Sequence, residues 1–259
     1  MLKTLYAFAL LILPFAARAQ FGLPQGFDVK TFQKDEETVF WLLNYDSAMI
    51  KAPVPAMQID APFDDLAFAY QDKKSNWHVL HGKLDSGRYR IAAHFLLDAK
   101  GRMQSAKEKT DTAMLSSAGR ALRNAHHEMR KSLPDDWQKM NRYIRRNADN
   151  SWTVWFLPEY SEGAYAIYGA ELTYYYNAAG TQLMTSKRYL KTLQHEKPDA
   201  DKDVVIDYST EKMPTLGAMY FAHSFKSKFK SVGIRYKKGT STVTYTPAER
   251  TYAWQHAAD

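Results

Sequence analysis

The chain has no cysteine, so no disulfide stabilises it and no thiolate serves as a nucleophile or metal ligand. It also lacks the lipid-modified cysteine of bacterial lipoproteins, and none of its asparagines stands in an N-x-Ser/Thr sequon. A eukaryotic secreted protein of 259 residues would more often carry a disulfide or a sequon. These absences favour a bacterial protein that buries enough apolar surface to fold without disulfides.

An apolar run at the N-terminus has the layout of a secretion signal. Lys3 provides a positive region, residues 5–16 are largely apolar, and residues 17–19 (ARA) match the small-x-small pattern that signal peptidase reads. We therefore predict a signal peptide over residues 1–19, cleaved before Gln20, and a periplasmic or secreted mature protein. The alternative is a retained membrane anchor, but about a dozen apolar residues are fewer than the roughly twenty that span a bilayer.

The remainder of the chain has the composition of a globular protein. No second apolar run of spanning length follows, so we expect no transmembrane segment after signal cleavage. Cleavage leaves 259 − 19 = 240 residues, enough for one large domain or two small ones. The chain is 45% hydrophobic and 14% aromatic. Its formal charge of +7 falls to +5 when Lys3 and Arg18 are removed, a balance that selects no partner by itself.

Two segments have the spacing of amphipathic helices. Residues 28–51 and 112–133 place apolar side chains at intervals close to three and four residues, and Asp28 and Asp111 are candidate N-caps. Short strand-like runs separated by polar turns follow each helix. The sequence therefore predicts an α+β protein with a two-layer arrangement of amphipathic helices on antiparallel β-meanders. A short helix is the alternative for residues 135–146.

The two halves of the chain resemble each other in order and approximate spacing. Residues 77–79 (WHV) in the first half correspond to 152–154 (WTV) in the second, and the turn 98–101 (DAKG) corresponds to 177–180 (NAAG). This self-similarity predicts an internally duplicated helix-plus-four-strand unit. The alternative is that any two β-meanders share such patterns through residue propensity alone.

The pattern divides the mature chain into three parts. Residues 20–110 form the first helix-plus-meander unit, residues 111–197 form the second, and residues 198–259 form a basic C-terminal segment that completes the fold. In this last part we expect a helix or strand near 216–223 and strands near 229–236 and 241–246. The tail from residue 247 onward is interpreted as a short helix.

Motifs for catalysis, metals and cofactors are incomplete throughout the chain. Residues 126–128 (HHE) begin as a zincin motif does, but Lys131 stands where the second histidine is required. The alternating aspartates of 199–203 resemble the start of a calcium loop, but Val204 occupies its glycine position. There is no G-x-S-x-G and no glycine-rich phosphate loop. We therefore predict no catalytic residue, no metal and no cofactor.

Positive charge concentrates in the C-terminal third, where residues 212–250 contain eight Lys or Arg and one Glu. If residues 225–231 form a strand, Lys226, Lys228 and Lys230 share one face. With Arg235, this basic stripe is a candidate surface for an acidic protein, an anionic lipid surface or a glycan. The alternative is a lysine-protected edge strand that blocks aggregation. Nucleic acid is not an expected partner, since no nucleic-acid motif is present.

Aromatic residues cluster between positions 152 and 176, and Trp155 and Tyr175 are the candidate binding residues there. Rings on an open sheet face stack on glycans or peptides, although strand alternation places part of this cluster in the core. The run 174–176 (YYY) must turn at least one ring outward. We predict a non-catalytic, exported binding or structural module that uses the aromatic face or the basic stripe. The alternative is a cell-envelope hydrolase whose catalytic residues converge only in the fold.

Overall fold

The fold is mixed α+β and consists mostly of strands. The computed structural model describes residues 23–53, 66–106, 110–159, 165–246 and 251–259. The predicted signal peptide and its cleavage site lie outside these ranges. Within them the chain forms three α-helices and twelve strands, arranged in three four-stranded sheets. None of the helices in this part of the chain is both long enough and apolar enough to cross a membrane.

The two predicted helices and their caps are confirmed. Helix α1 spans Val29–Lys51, and helix α2 spans Thr112–Ser132. Asp28 and Asp111 each accept hydrogen bonds from two backbone N–H groups of the first turn that follows, which satisfies donors that have no partner inside the helix.

The buried faces of these helices differ in how well their spacing predicts them. The buried residues of α2 include all five predicted apolar positions, namely Leu115, Ala118, Leu122, Ala125 and Met129. In α1 the apolar spacing predicts the buried face less well. Phe40 and Ile50 are 44% and 75% exposed, whereas Leu42, Tyr45 and Ala48 are buried. The exposed Ile50 leaves an apolar side chain outside the core at the end of α1.

Each of these helices is followed by an antiparallel sheet whose strands lie in chain order. Sheet A contains β1 (Phe68–Gln71), β2 (Trp77–Asp85), β3 (Arg88–Leu97) and β4 (Met103–Ser105). Sheet B contains β5 (Met140–Arg146), β6 (Trp152–Pro158), β7 (Ala166–Tyr176) and β8 (Leu183–Glu196). A single 3-10 turn at Trp137–Lys139 precedes β5, so the helical alternative for 135–146 is wrong over most of its length.

The turn between the third and fourth strands is built alike in both sheets. Gly101 and Gly180 have φ angles of 77° and 71°, a region in which a side chain is strained. The Gly101 N–H donates to the Asp98 carbonyl at 2.8 Å, and the Gly180 N–H donates to the Asn177 carbonyl at 2.9 Å. The two units therefore share element order and this turn, as the aligned sequence patterns predict.

Sheet C corrects the expectation of a short helix in the C-terminal tail. It contains β9 (Asp199–Tyr208), β10 (Phe229–Tyr236), β11 (Gly239–Thr246) and β12 (Thr251–Ala258). Strands β9 and β10 are parallel and are joined through helix α3, Leu216–Ser224, whereas the other pairs are antiparallel. The charged stretch after residue 198 is therefore a strand, and the tail is strand β12, not a short helix. Pairing of β12 with β11 along its whole length outweighs the local helix preference of its alanines.

Sheet B is covered on both faces. On one face α2 holds the turns of sheets A and B together, since Arg120 donates to the Gly87 carbonyl at 2.8 Å and to the Ala179 carbonyl at 2.9 Å. On the other face Trp155 lies 6.0 Å from Trp41 of α1, measured between ring centres. The side chains of β6 and β7 that point toward α1 and α3 line the site described next.

Candidate functional site in a cleft of sheet B

A cleft of about 520 Å³ lies between sheet B, the N-terminal part of α1 and the chain that leads into α3. Trp155, Thr173 and Lys187 stand directly opposite one another on β6, β7 and β8, and all three line this cleft. Directly opposed residues of neighbouring strands point to the same face of the sheet. Strand register therefore places an aromatic, a hydroxyl and a cationic side chain in one row along the sheet B cleft.

Glu171 stands at the point where the cleft meets the start of α3. Its Oε2 accepts a hydrogen bond from the Gly217 N–H at 2.6 Å, within the first turn of the helix, where anions are favoured. A Cβ atom at position 217 would lie 2.8 Å from Glu171 Cδ, which is too close for a real contact. Thr215 caps the same helix through a hydrogen bond from the Ala218 N–H at 3.2 Å. Only glycine therefore lets the carboxylate approach this helix end.

Burial raises the pKa of Glu171 to about 7, since the charged form is poorly solvated there. Hydrogen bonds from Thr215 and Gly217 oppose this shift, while the carboxylates of Glu211 and Asp35 add to it. Its Oε1 is buried and has no hydrogen-bond partner among the residues that the structure describes. Near neutral pH the group is therefore divided between its protonated and charged forms.

Asp35 brings a second carboxylate to the cleft from α1. It is half-buried, and burial raises its pKa, whereas the positive charges of Lys187 and Lys34 lower it. The cleft therefore combines two carboxylates of raised pKa with a nearby lysine, an arrangement that can hydrogen-bond a polar ligand.

Of the predicted aromatic pair, Trp155 is part of the core. It is only 4% exposed, and the guanidinium of Arg145 lies 5.1 Å from its ring centre and 5.3 Å from that of Trp41. Its ring faces are thus covered by neighbours within the protein. Trp155 forms part of the cleft wall and cannot offer an open stacking face.

Tyr175 is the outward member of the tyrosine run. It is half-buried and lines the cleft, whereas Tyr174 and Tyr176 are fully buried on the opposite face. This outcome follows from the alternation of side chains along β7. Tyr175 is therefore the predicted aromatic residue that the fold leaves available for a ligand.

The prediction that residues 225–231 form a strand with the basic stripe on one face is wrong. Phe225 ends α3, where its N–H donates to the Phe221 carbonyl at 3.0 Å, and residues 226–228 form a turn. Strand β10 begins only at Phe229. Alternating Lys and Phe imitate a strand here, but the boundary between helix and strand falls inside the pattern. Lys226 and Lys228 therefore do not share a strand face with Lys230.

The four basic candidates have separate environments. The Lys226 ammonium lies 4.0 Å from the centre of the Tyr252 ring, and Lys228 is exposed in the turn. Lys230 lies 3.5 Å from an Asp203 carboxylate oxygen on β9, and Arg235 is exposed on β10. The aspartates of 199–203 belong to this extended strand and not to a calcium-binding loop.

A serine next to a histidine occurs in sheet C, but it is sealed inside the protein. Ser241 Oγ lies 2.7 Å from His256 Nδ1, the spacing of an activated nucleophile. Ser241 has no exposed surface, and its hydroxyl also bonds the Tyr236 hydroxyl. A substrate cannot reach this oxygen, so the pair serves packing and not catalysis.

Sequence reasoning missed a carboxylate shared by two tyrosines. The hydroxyls of Tyr143 and Tyr220 both donate to Asp46 Oδ2, at 3.0 Å and 2.6 Å, and lie 2.8 Å from each other. Burial raises the pKa of Asp46 to about 6, and the two hydroxyls oppose this shift. The three residues come from α1, β5 and α3, so no local sequence motif predicts this cluster.

Comparison with known proteins gives this chain no family. No protein-family model matches it, and a search of curated proteins finds no match. The chemistry of the cleft has to be inferred from its own residues.

Proposed function

We propose that this chain is an exported, non-catalytic binding protein whose sheet B cleft holds a saccharide. The observation that carries the proposal is the partly exposed ring of Tyr175 beside hydroxyl and carboxylate side chains in one cleft. Sugars present an apolar ring face and a rim of hydroxyls, so they need an aromatic surface and several hydrogen-bonding groups together. The cleft volume of about 520 Å³ lies within the usual range for small-molecule sites.

The polar lining fits the rim of a sugar. Thr31, Thr173 and Thr215 supply hydroxyls that both donate and accept hydrogen bonds, while Asp35 supplies an acceptor. Lys187 adds a cationic donor. Such a mixture suits neutral or mildly acidic glycans better than a purely apolar ligand.

The binding proposal is tested with a glycan array, followed by titration of each positive glycan. Tyr175→Ala should weaken binding by about 10-fold or more, since a stacked ring contributes on the order of 1 kcal/mol or more beyond its area. Tyr165→Ala is the matched control, because Tyr165 is 52% exposed and does not line the cleft. Equal losses in both variants, or no glycan binding at all, would contradict the proposal.

Export rests on the N-terminal sequence pattern of residues 1–19 and is tested separately. Expression of the full chain in a bacterium, followed by N-terminal sequencing of the periplasmic and medium fractions, should give a chain that begins at Gln20. A cytoplasmic chain that begins at Met1 would contradict export without touching the binding proposal.

A second candidate function is glycan hydrolysis, which the pair of carboxylates in the cleft favours. Glu171, with a pKa of about 7, has the value of a general acid, and a second carboxylate, Asp35, lies in the same cleft. Against this role, Glu171 Oε1 is buried and Oε2 is bonded to Gly217. The test is whether the protein releases product from a bound glycan. If Glu171→Gln lowers the rate of that release by about 100-fold or more while binding is retained, the protein is a hydrolase.

We also propose that the two helix-plus-meander units arose by internal duplication, each with its sheet layered on a helix. Their common element order and the glycine turns at Gly101 and Gly180 support this. Related chains in which the two units are more alike than here would strengthen the proposal. Related chains that keep the fold but lose all similarity between the units would count against it.

A further inference from the structure

A second cavity, of about 370 Å³, lies between the C-terminal half of α1 and α3. This α1–α3 cavity shares no lining residue with the sheet B cleft. Leu43 and the exposed Ile50 form apolar walls, and Asp46, Lys51 and Lys226 bring charges of both signs. It is thus a small, partly apolar site with an acidic and a basic side.

Asp46 forms the acidic side of this cavity. Both tyrosine hydroxyls that bond Asp46 are neutral and act on Oδ2, and no cation within the described part of the chain contributes to its electrostatic environment. A poorly solvated carboxylate ordinarily has a cationic partner. A cation supplied by a ligand would give Asp46 such a partner.

The basic side likewise has no carboxylate partner within the described ranges. Lys51 lies exposed in the last turn of α1, and the Lys226 ammonium lies over the face of Tyr252, 4.0 Å from the ring centre. Both lysines line the same cavity as Asp46 without forming an ion pair with it. The cavity therefore holds separate anion-binding and cation-binding groups.

His223 is a buried polar group of this cavity whose Nδ1 has no partner in the described part of the chain. Its side chain lines the cavity and is only 1% exposed. While Nε2 lies 3.3 Å from Glu36 Oε1, Nδ1 has no hydrogen-bond partner among the residues described. Buried polar atoms are rarely left in this state. This second observation, independent of the charges, also points to a ligand with polar groups.

We propose that the α1–α3 cavity binds a small zwitterion, namely a free α-amino acid with an apolar side chain. Its ammonium pairs with Asp46, its carboxylate pairs with Lys226 and Lys51, and its side chain contacts Leu43 and Ile50. A simple amine would leave both lysines without a partner, and a simple anion would leave Asp46 without one. Only a ligand with both charges satisfies the two sides together.

Titration calorimetry with leucine, isoleucine, valine and phenylalanine tests the ligand class. For the amino acid that binds best, the amide lacks the carboxylate and the N-acetyl derivative lacks the ammonium. Each derivative should bind about 10-fold or more weakly, because each loses one charge pair. No binding by any of the four amino acids, or equal binding by a derivative, would overturn the proposal.

Variants assign the two charges to their residues. Asp46→Asn keeps an oxygen for the two tyrosine hydroxyls, and it should abolish the preference for the amino acid over its N-acetyl derivative. Lys226→Met should reduce the preference over the amide, whereas Lys228→Met, in the same turn but outside the cavity, should leave it unchanged. A general loss of structure would weaken all ligands alike, so unchanged preferences in both cavity variants would overturn the assignment.

Discussion

Glu171 in the sheet B cleft and Asp46 in the α1–α3 cavity are both carboxylates whose pKa is raised by burial, to about 7 and about 6. Their hydrogen-bond donors differ. The Thr215 side chain and a main-chain N–H of Gly217 support Glu171, whereas two phenol hydroxyls support Asp46. No substitution removes a main-chain donor without moving the chain, but a phenol is removed by a single change to Phe. Asp46 therefore depends on side-chain donors alone, whereas Glu171 depends also on the shape of its surroundings.

The largest expected effect is a pH-dependent change in stability for Glu171→Gln. Glu171 has a pKa of about 7 in the fold against an ordinary value of 4.5, so its stabilising contribution is present below the ordinary value and is lost as pH rises through 7. Ionisation in the fold costs about 3 kcal/mol. Relative to wild type, the Gln variant should therefore gain about that much unfolding free energy between pH 5 and pH 8.

Urea unfolding of both proteins at the two pH values measures this difference directly. Asp46→Asn serves as the comparator, since its change should be centred about one pH unit lower. A stability difference that stays constant with pH would show that Glu171 does not titrate in this range.

Gly217→Ala should lower the unfolding free energy by about 2 kcal/mol, despite the better helix propensity of alanine. Its Cβ would lie 2.8 Å from Glu171 Cδ and would displace the carboxylate from its N–H donor. Gly233→Ala is the control, because its nearest neighbour would be a Val205 methyl at 3.3 Å. Equal destabilisation of both variants would remove the special role of glycine at the start of α3.

Removal of one phenol hydroxyl tests the side-chain support of Asp46. Tyr220→Phe and Tyr143→Phe should each cost about 1 kcal/mol and raise the pKa of Asp46, with the larger rise for Tyr220, whose bond is shorter. NMR titration of the Asp46 carboxyl carbon measures both shifts. Tyr236→Phe removes a hydroxyl that bonds Ser241 and should leave this titration unchanged. Identical titrations in all three variants would contradict the shared-carboxylate arrangement.

The smallest expected effect is the change in unfolding free energy on substitution of the exposed lysines. It is the baseline against which the effects at the buried groups are compared. Lys228→Glu should change the unfolding free energy by less than about 0.5 kcal/mol, because the side chain is exposed in a turn. Lys230→Glu should do little more, since its contact with Asp203 is 3.5 Å long and exposed. Thermal unfolding of the two variants measures this, and a loss above about 1 kcal/mol would show structure around these lysines that the contacts do not account for.

Local signals in the sequence predict much of the fold. Asp28 and Asp111 mark helix starts because a cap is a contact between near neighbours in the chain. The glycine of each turn is predictable for the same reason, since its φ angle is a local requirement. These signals locate α1 and α2 to within one residue at each end.

Contacts between distant residues decide what the sequence does not predict. The tail forms β12 because β11 offers a partner strand, and the pattern of residues 225–231 fails because α3 ends within it. The Asp46 network joins residues separated by 97 and 174 positions, and Glu171 meets Gly217 across 46 positions. For neither carboxylate does a residue nearby in the sequence predict the contact with its hydrogen-bond partner. Tyr175 was predicted as a ligand candidate, but only the register of β7 shows that it is the member of the run 174–176 that faces the cleft.

The tryptophan cluster gives this protein a built-in optical reporter. Trp41 lies 5.3 Å from Trp77 and 6.0 Å from Trp155, so excitation of one indole is shared among three. The Arg145 guanidinium rests on two of these rings, and Trp155 also forms part of the cleft wall. Any ligand that shifts this cation or excludes water from the wall changes the emission of the whole group. Occupancy of the cleft can therefore be followed by intrinsic fluorescence, without a label and without knowledge of the ligand in advance.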